Sequence, residues 1–428
     1  MLIEFSVENF RSFREKQVFS MVAAPRLRRK DNVFQPEADG ERLPPLLKVA
    51  AIYGPNASGK SNLIDAMGLV RKIIKISPSA FVRPLPISSF RFDPMLEALP
   101  SRFELHFVHS RCRYSFELAV TKDRITEEIL TIYPKGQEKL LYKRKYINGH
   151  DDYQFGDYLE GGSDVHQAWR KLTGPQALFI TQAVANSNEE LKQLGKPLEW
   201  LTDGLSLAGT NLNTYVNAVQ KLLIEFPALS DSIVKLLRDV DVPITHLSAK
   251  KLDQSIEIEN NNQIPTEESI DKLPPWLSEK NKVRTTLTHT TALGSAEFDF
   301  SEESEGTKNV IGFSIPWLVL QNKSTTYRKT LVVDELDSSL HPKIVEALLE
   351  KHITSDTPSQ LIFTTHDTHL MDTKLLRRDQ FWIAERDQNG ATQMRSIHDF
   401  EGRESEDIEK RYYEGRYRGL PLVRRGKA

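Results

Sequence analysis

A single cysteine, Cys112, is present in 428 residues. An intrachain disulfide is therefore excluded, as is any Cys-x-x-Cys metal or redox pair, which fits a reducing compartment. The chain also lacks an excess of either charge: 57 basic residues stand against 59 acidic ones, a net charge of −2. Bulk electrostatics draw it neither to nucleic acid nor to a membrane, so any such surface must be a local patch. No apolar run approaches the length that spans a bilayer, and residues 1–13 alternate like a strand without the apolar core of a signal peptide. A soluble, cytoplasmic protein with no membrane partner is expected. Internal repeats and sustained heptads are missing too, which excludes a solenoid and a long coiled-coil arm.

What is there is concentrated in residues 49–67, V-A-A-I-Y-G-P-N-A-S-G-K-S-N-L-I-D-A-M. The apolar run 49–53 reads as a buried strand, and Leu63, Ile64, Met67, Val70 and Ile74 recur on one face of the helix that follows. Between them lies G-x-x-x-x-G-K-S, residues 54–61, in the strand–loop–helix setting that a P-loop requires. Gly54 and Gly59 let the backbone turn tightly enough to aim successive N–H groups at phosphate oxygens, with Asn56, Ala57 and Ser58 between them. The helix opening near Ser61 adds its positive end, and Asn62 follows. Lys60 reaches the β/γ-phosphates and the Ser61 hydroxyl is placed to ligate Mg²⁺. This pattern predicts a nucleoside triphosphate with Mg²⁺ as the ligand set, and the resemblance given below makes the nucleotide ATP.

Elsewhere the text changes character twice. Residues 2–10 read as a strand, followed by the turn Asn9-Phe10-Arg11-Ser12. The runs 90–92, 103–108, 114–120, 124–132 and 140–146, separated by turn residues such as Asp93-Pro94 and Asn148-Gly149, predict an antiparallel meander. From about 165 to 237 the apolar spacing becomes helical. Residues 260–282 carry an Asn run and three prolines, which predicts a long exposed loop, with Trp276 and Leu277 inside it. The expected division is 1–150, the N-terminal half of a P-loop domain; 151–284, a helical insertion; and 285–428, the C-terminal half of that domain.

That C-terminal half holds a second set of candidates. Leu331, Val332 and Val333 end in Asp334-Glu335, as a Walker B strand does: Asp334 would hold Mg²⁺, and Glu335 would orient or activate the attacking water. An Asp-Glu pair after a strand is weak by itself and strong beside a P-loop. A further apolar run, 360–363, ends in Thr364-Thr365-His366-Asp367, where His366 suits a polar contact to a γ-phosphate. Lys60, Glu335 and His366 are therefore the candidate catalytic residues. Ser304, Gly306 and Lys308 open another helix, with Ser304 as N-cap and Gly306 exposing backbone N–H groups as a second anion cradle. One chain does not need two γ-phosphate cradles; two facing chains would lend theirs to each other, so a homodimer or higher homo-oligomer is expected.

Taken together these motifs resemble the ABC-type ATPase head of SMC, RecF and OLD proteins. The order is Walker A (54–61), signature (304–308), Walker B (331–335), D-loop (338–341) and switch histidine (His366). The N-F-R-S turn is similar to the turn of those heads in which the arginine, here Arg11, approaches the nucleotide. The stretches D-E-L-D-S-S-L-H-P, T-T-H-D-T-H-L-M-D and R-Y-Y-E-G-R-Y-R-G-L-P resemble a bacterial family of stand-alone "AAA" ATPases that includes subunits of phage-defence and abortive-infection systems, such as the PARIS ATPase and RloA-like proteins. The resemblance implies an α/β ABC-type P-loop NTPase head, a mixed or parallel core sheet plus the meander. It further implies a sensor or switch controlling a separate effector, a toxin or nuclease, with a RecF-like DNA-repair ATPase as the alternative. The signature reads S-E-G-T-K instead of L-S-G-G-Q, and Gln182 is the candidate for the Q-loop. Too few residues follow His366 for the TOPRIM nuclease domain of OLD proteins; Asp379, Glu385 and Asp387 read as charges flanking a surface strand. The tail 410–428 carries seven basic residues against one acid, with Tyr412, Tyr413 and Tyr417 interleaved. That mix suits nucleic-acid contact, docking on the head, or docking on an effector.

Overall fold

Short apolar runs become interior strands wherever both of their faces can be covered. In the computed structural model this is the fate of Val49–Tyr53 (β5), Thr330–Val333 (β15) and Gln360–Thr364 (β16), each buried at every position. With Leu205–Ala208 (β11), Phe381–Arg386 (β17) and Thr392–Ser396 (β18) they form a six-stranded sheet in the order β11-β15-β16-β5-β17-β18. The first five strands are parallel and β18 is antiparallel. All five parallel strands therefore end at one edge, where ligands of open α/β sheets bind. The structure describes residues 1–76, 84–208, 213–251, 283–322, 329–337, 340–404 and 406–420.

The alternating runs close into a second, fully antiparallel sheet of seven strands: Leu2–Glu8 (β1), Gln17–Ser20 (β2), Ser101–His109 (β6), Cys112–Val120 (β7), Ile125–Tyr133 (β8), Lys139–Ile147 (β9) and His150–Phe155 (β10). The short pair Val33–Phe34 (β3) and Leu46–Leu47 (β4) leads into β5. The expected α/β class, mixed core sheet and antiparallel meander are all present. One run of the meander is not a strand: Phe90 is buried and Phe92 exposed in irregular chain, because the Phe90 N–H is taken by Asn9 Oδ1 (3.1 Å) and Asp93 caps the short helix Pro94–Glu97.

Two compact units emerge, and their limits do not coincide with the expected boundaries at 150/151 and 284/285. The first comprises Met1–Ala208, Leu320–Leu336 and Leu349–Ala428; the second comprises Gly209–Val319 and Asp337–Leu348. The helices Gly162–Leu172, Phe179–Ala185 and Lys192–Asp203 thus belong to the first unit. In the second, the helices Asn213–Glu225 and Leu229–Asp239 accompany a three-stranded sheet of Ile244–Lys251 (β12), Val283–Thr291 (β13) and Gly294–Asp299 (β14). The long loop expected at 260–282 lies outside the described residues.

A buried ionic network fastens the meander to the first unit's helices. Glu128, wholly buried on β8, accepts from the Tyr142 hydroxyl (2.6 Å) and from the N–H groups of Phe179 (2.8 Å) and Ile180 (3.2 Å). Burial pushes its carboxyl above the usual range. Arg144 on β9, equally buried, donates to the carbonyls of Ala177 (2.7 Å) and Gly174 (3.0 Å) and to Asp151 (3.0 Å). The helix so capped carries Gln182, which is buried within it and not on a loop.

Candidate nucleotide-binding site

The carboxyl end of β5 runs directly into Gly54, whose φ of +149° and lack of a side chain are both required. A Cβ there would stand 2.2 Å from the Ala384 carbonyl oxygen on β17. Gly59, at φ +103°, is tighter still, since a Cβ would meet Thr392 Oγ1 at 2.0 Å. Ala57 is left-handed as well, at φ +62°, and the helix Lys60–Ile74 starts with Gly59 as its cap. Asn56 and Ala57 are exposed on this loop, whereas the Ser58 hydroxyl is buried with no partner among the described residues. The Lys60 ammonium donates to the carbonyl oxygens of Gly54 (2.8 Å) and Pro55 (3.2 Å), lying across the loop. Backbone N–H groups on such a turn, at a helix start, make an anion cradle.

The acidic strand reaches the same place. Asp334 Oδ1, at the end of β15, accepts from the Ser61 hydroxyl at 3.2 Å and from Thr364 Oγ1 at 2.7 Å. Thr364 Oγ1 in turn accepts from the Glu335 N–H at 2.7 Å. Glu335 adopts φ +52°, a left-handed conformation that a non-glycine residue holds only when its surroundings impose it. A hard divalent cation takes oxygen donors, a few from protein and the rest from phosphate and water. The adjoining Ser61 hydroxyl and Asp334 carboxylate are donors of that kind, so Mg²⁺ fits this junction.

Arg11 and Asn62 meet beside the loop. The Arg11 guanidinium pairs with Asp65 on the P-loop helix and donates to Asn62 Oδ1 (3.2 Å), while Asn9 and Arg11 both take left-handed φ values to form the turn. A polar chain then runs from Asn62 Nδ2 to Ser12 Oγ (2.7 Å), Thr392 Oγ1 (2.7 Å) and the Ser58 carbonyl (2.8 Å). It braces the loop from behind. Ser12, Thr364 and Thr392 in these bracing roles escape sequence reasoning, because each acts on residues far away in the chain. Thr364 sits in the Thr-rich turn expected to face the γ-phosphate, yet its hydroxyl serves the acidic pair.

His366 is exposed and lines a cavity of about 970 Å³ together with Gly54, Pro55, Asn56, Glu385, Arg386 and Tyr413. The strand thought to lie on the surface is interior: residues 381–384 of β17 are buried between β5 and β18. Asp379 is buried and pairs with Arg377 (2.6 Å) while accepting from the Ala24 N–H (2.7 Å). Among the described residues no group of three or more His, Cys, Asp or Glu side chains could hold a metal.

The signature residues belong to the second unit. Ser304 Oγ accepts from the Thr307 N–H (3.1 Å) at the start of the helix Glu305–Gln321, the cap that its position implied. Gly306 is exposed in the first turn, and Lys308 Nζ contacts the Ser301 carbonyl (3.3 Å) and Glu305 (3.2 Å). Of the D-loop, Ser338 and Ser339 lie outside the described residues, as do 421–428 of the tail.

The AAA_21 family, described as an AAA domain, putative AbiEii toxin, Type IV TA system, matches residues 49–372. The chain belongs to this family. The P-loop of this AAA_21 chain, with its acidic strand alongside, marks it as an ATP-binding P-loop ATPase. Its structure is similar to that of an SMC head domain from Thermotoga maritima, at 13% identity and a TM-score of 0.41, covering 92% of this chain and 98% of that one. A second likeness is to an Smc head bound to the C-winged helix domain of ScpA, at 12% identity and a TM-score of 0.44, covering 92% and 97%. None of the curated proteins matches the AAA_21 chain. Among its described residues, no helix is long and apolar enough to cross a membrane.

Proposed function

We propose that this chain is an ATP-driven switch that works as paired copies. The P-loop N–H groups and Lys60 bind the β- and γ-phosphates, and Ser61 and Asp334 hold Mg²⁺. Glu335 orients the attacking water and accepts its proton, and His366 contacts the γ-phosphate. Water attacks the γ-phosphorus as its bond to the β–γ bridging oxygen breaks, leaving ADP and phosphate. Bound Mg²⁺ supplies charge neutralisation on the phosphate oxygens. The observation that carries this reading is the junction of Ser61, Asp334 and Thr364, which brings a cradle near the start of the chain to an acidic pair near its end.

A second copy completes the pocket with its Ser304, Gly306 and Lys308, so that loss of the γ-phosphate loosens the pair. Arg11 and Asn62 lie at the nucleotide's flank. The family description supports a defence setting, in which the switch restrains a separately encoded toxin or nuclease. The test is complementation. Lys60→Ala and Gly306→Glu chains should each be inactive alone, and mixing them should restore phosphate release, because one mixed site then has an intact P-loop and an intact signature. Failure of the mixture to hydrolyse ATP rejects the two-copy arrangement. DNA affinity that falls steeply with salt would favour the RecF-like alternative over effector control.

A further inference from the structure

Residues 408–420 of the C-terminal segment are docked on the first unit. Tyr417 is buried against Phe400, with ring centroids 5.4 Å apart, and the Tyr412 hydroxyl donates to the Gly419 carbonyl at 2.6 Å. A Cβ on Gly419 would lie 2.6 Å from Cγ2 of Ile383, so the chain passes directly over β17. Two of its basic residues are already paired, Arg411 with Glu406 (2.6 Å) and Arg416 with Glu414 (3.0 Å).

From that platform the short helix Ile408–Tyr413 touches the turn that follows His366. Thr368 Oγ1 lies 2.9 Å from Glu409 Oε1 and 2.9 Å from the Tyr413 hydroxyl. A threonine hydroxyl has one proton; it goes to the carboxylate, so Tyr413 donates to Thr368. His369 Nδ1 stands 3.6 Å from the same Glu409 oxygen. On the other side of His366, the Thr365 N–H is bonded to the Ile52 carbonyl on β5 (3.1 Å) and the Asp367 N–H to Thr365 Oγ1 (2.9 Å). His366 thus sits between two clamps, one set by the core sheet and one by the C-terminal helix. Tyr413 is 62% exposed, and hydrogen bonds so open to water add little to folding.

We propose that Thr368, Glu409 and Tyr413 are positioning residues through which the C-terminal helix places His366 for hydrolysis. This rests on the reading of His366 as the γ-phosphate contact. The rate of turnover then depends on how the C-terminal segment is seated.

The test uses the full chain and follows phosphate release, binding of a fluorescent ATP analogue and thermal unfolding. Thr368→Val and Tyr413→Phe should each lower kcat about tenfold, a sub-ångström misplacement being enough for that. KM, analogue affinity and Tm should stay unchanged, and Thr368→Ser should restore the rate. A kcat near wild type in both variants overturns the proposal, as does a loss of affinity or Tm that matches the loss of rate. His366→Ala separates the two claims. If it is impaired while Thr368→Val and Tyr413→Phe are not, the positioning role alone fails; if it hydrolyses normally, the reading of His366 itself fails.

Discussion

The P-loop and the stretch proposed as its partner-side cradle are built to opposite degrees. The P-loop is wedged from below and behind: Gly54 against β17, Gly59 against Thr392, and Ser58 through the chain of hydroxyls from Asn62. Its supports come from residues 12, 62 and 392, the first and last of them 380 positions apart. The signature cradle leans on its own neighbours. Ser304, Thr307 and Lys308 bond within the stretch 301–308, and Ser304, Glu305 and Gly306 are exposed. A site that grips its nucleotide before chemistry gains from rigidity, since the entropy of ordering is then lost during folding. On the two-copy reading proposed above, a surface that arrives later, on another molecule, needs only presentable N–H groups and a helix end.

Breaking the rigid side should cost most. Glu335→Gln keeps the fold of the turn and removes the base, so turnover should fall about 10³-fold, roughly 4 kcal/mol of barrier, with ATP still bound. Single-turnover phosphate release measures it, and an unchanged rate removes Glu335 from the chemistry. Next comes the frame. Glu128→Ala leaves the Tyr142 hydroxyl and the N–H groups of Phe179 and Ile180 unpaired in the interior, which should destabilise the chain by about 3–4 kcal/mol in urea unfolding.

His352 sharpens the contrast through pH. Its ring is buried between Gln321 (2.9 Å) and the Lys48 carbonyl (3.2 Å), just before β5, and burial pulls its pKa down to about 4. Between that value and about 6.5 the unfolded chain takes up the proton and the folded chain does not, so stability falls as pH drops through this window. The loss should reach on the order of 3 kcal/mol by pH 4, and His352→Gln should flatten that part of the curve. The smallest effect on folding belongs to the sparse side. Ser304→Ala removes a helix cap worth about 1 kcal/mol and should leave the P-loop's own ATP affinity intact while slowing turnover. A larger loss of affinity than of rate would contradict the division of labour.

Legibility in the sequence follows the same divide. The P-loop, the Asp334-Glu335 strand end and the Ser304 cap are local patterns, and each is where its spacing put it. Leu205–Ala208 was hidden, for four residues between two helices show no period, although they pair with the acidic strand along its whole length. The interior position of β17 was equally hidden: charged residues 385 and 386 end it and Asp387 follows, and only the partnership with β5 reveals that its first four side chains are enclosed. Thr364 and Thr392 could not be singled out because a hydroxyl's partner is fixed by topology and not by its neighbours in the chain. The same applies to Tyr413: the composition of the tail left nucleic-acid contact, docking on the head and docking on an effector open, and its hydroxyl meets Thr368.

The left-handed backbone at Glu335 has a practical corollary. A Cβ is disfavoured there by about 1 kcal/mol through its approach to the following carbonyl oxygen, which glycine avoids and asparagine offsets by local hydrogen bonding, so either would relax the turn. A laboratory selection for heat resistance alone would therefore drift toward those residues at 335. With Glu335 as the base proposed above, the survivors would be hardier molecules that no longer turn over fuel.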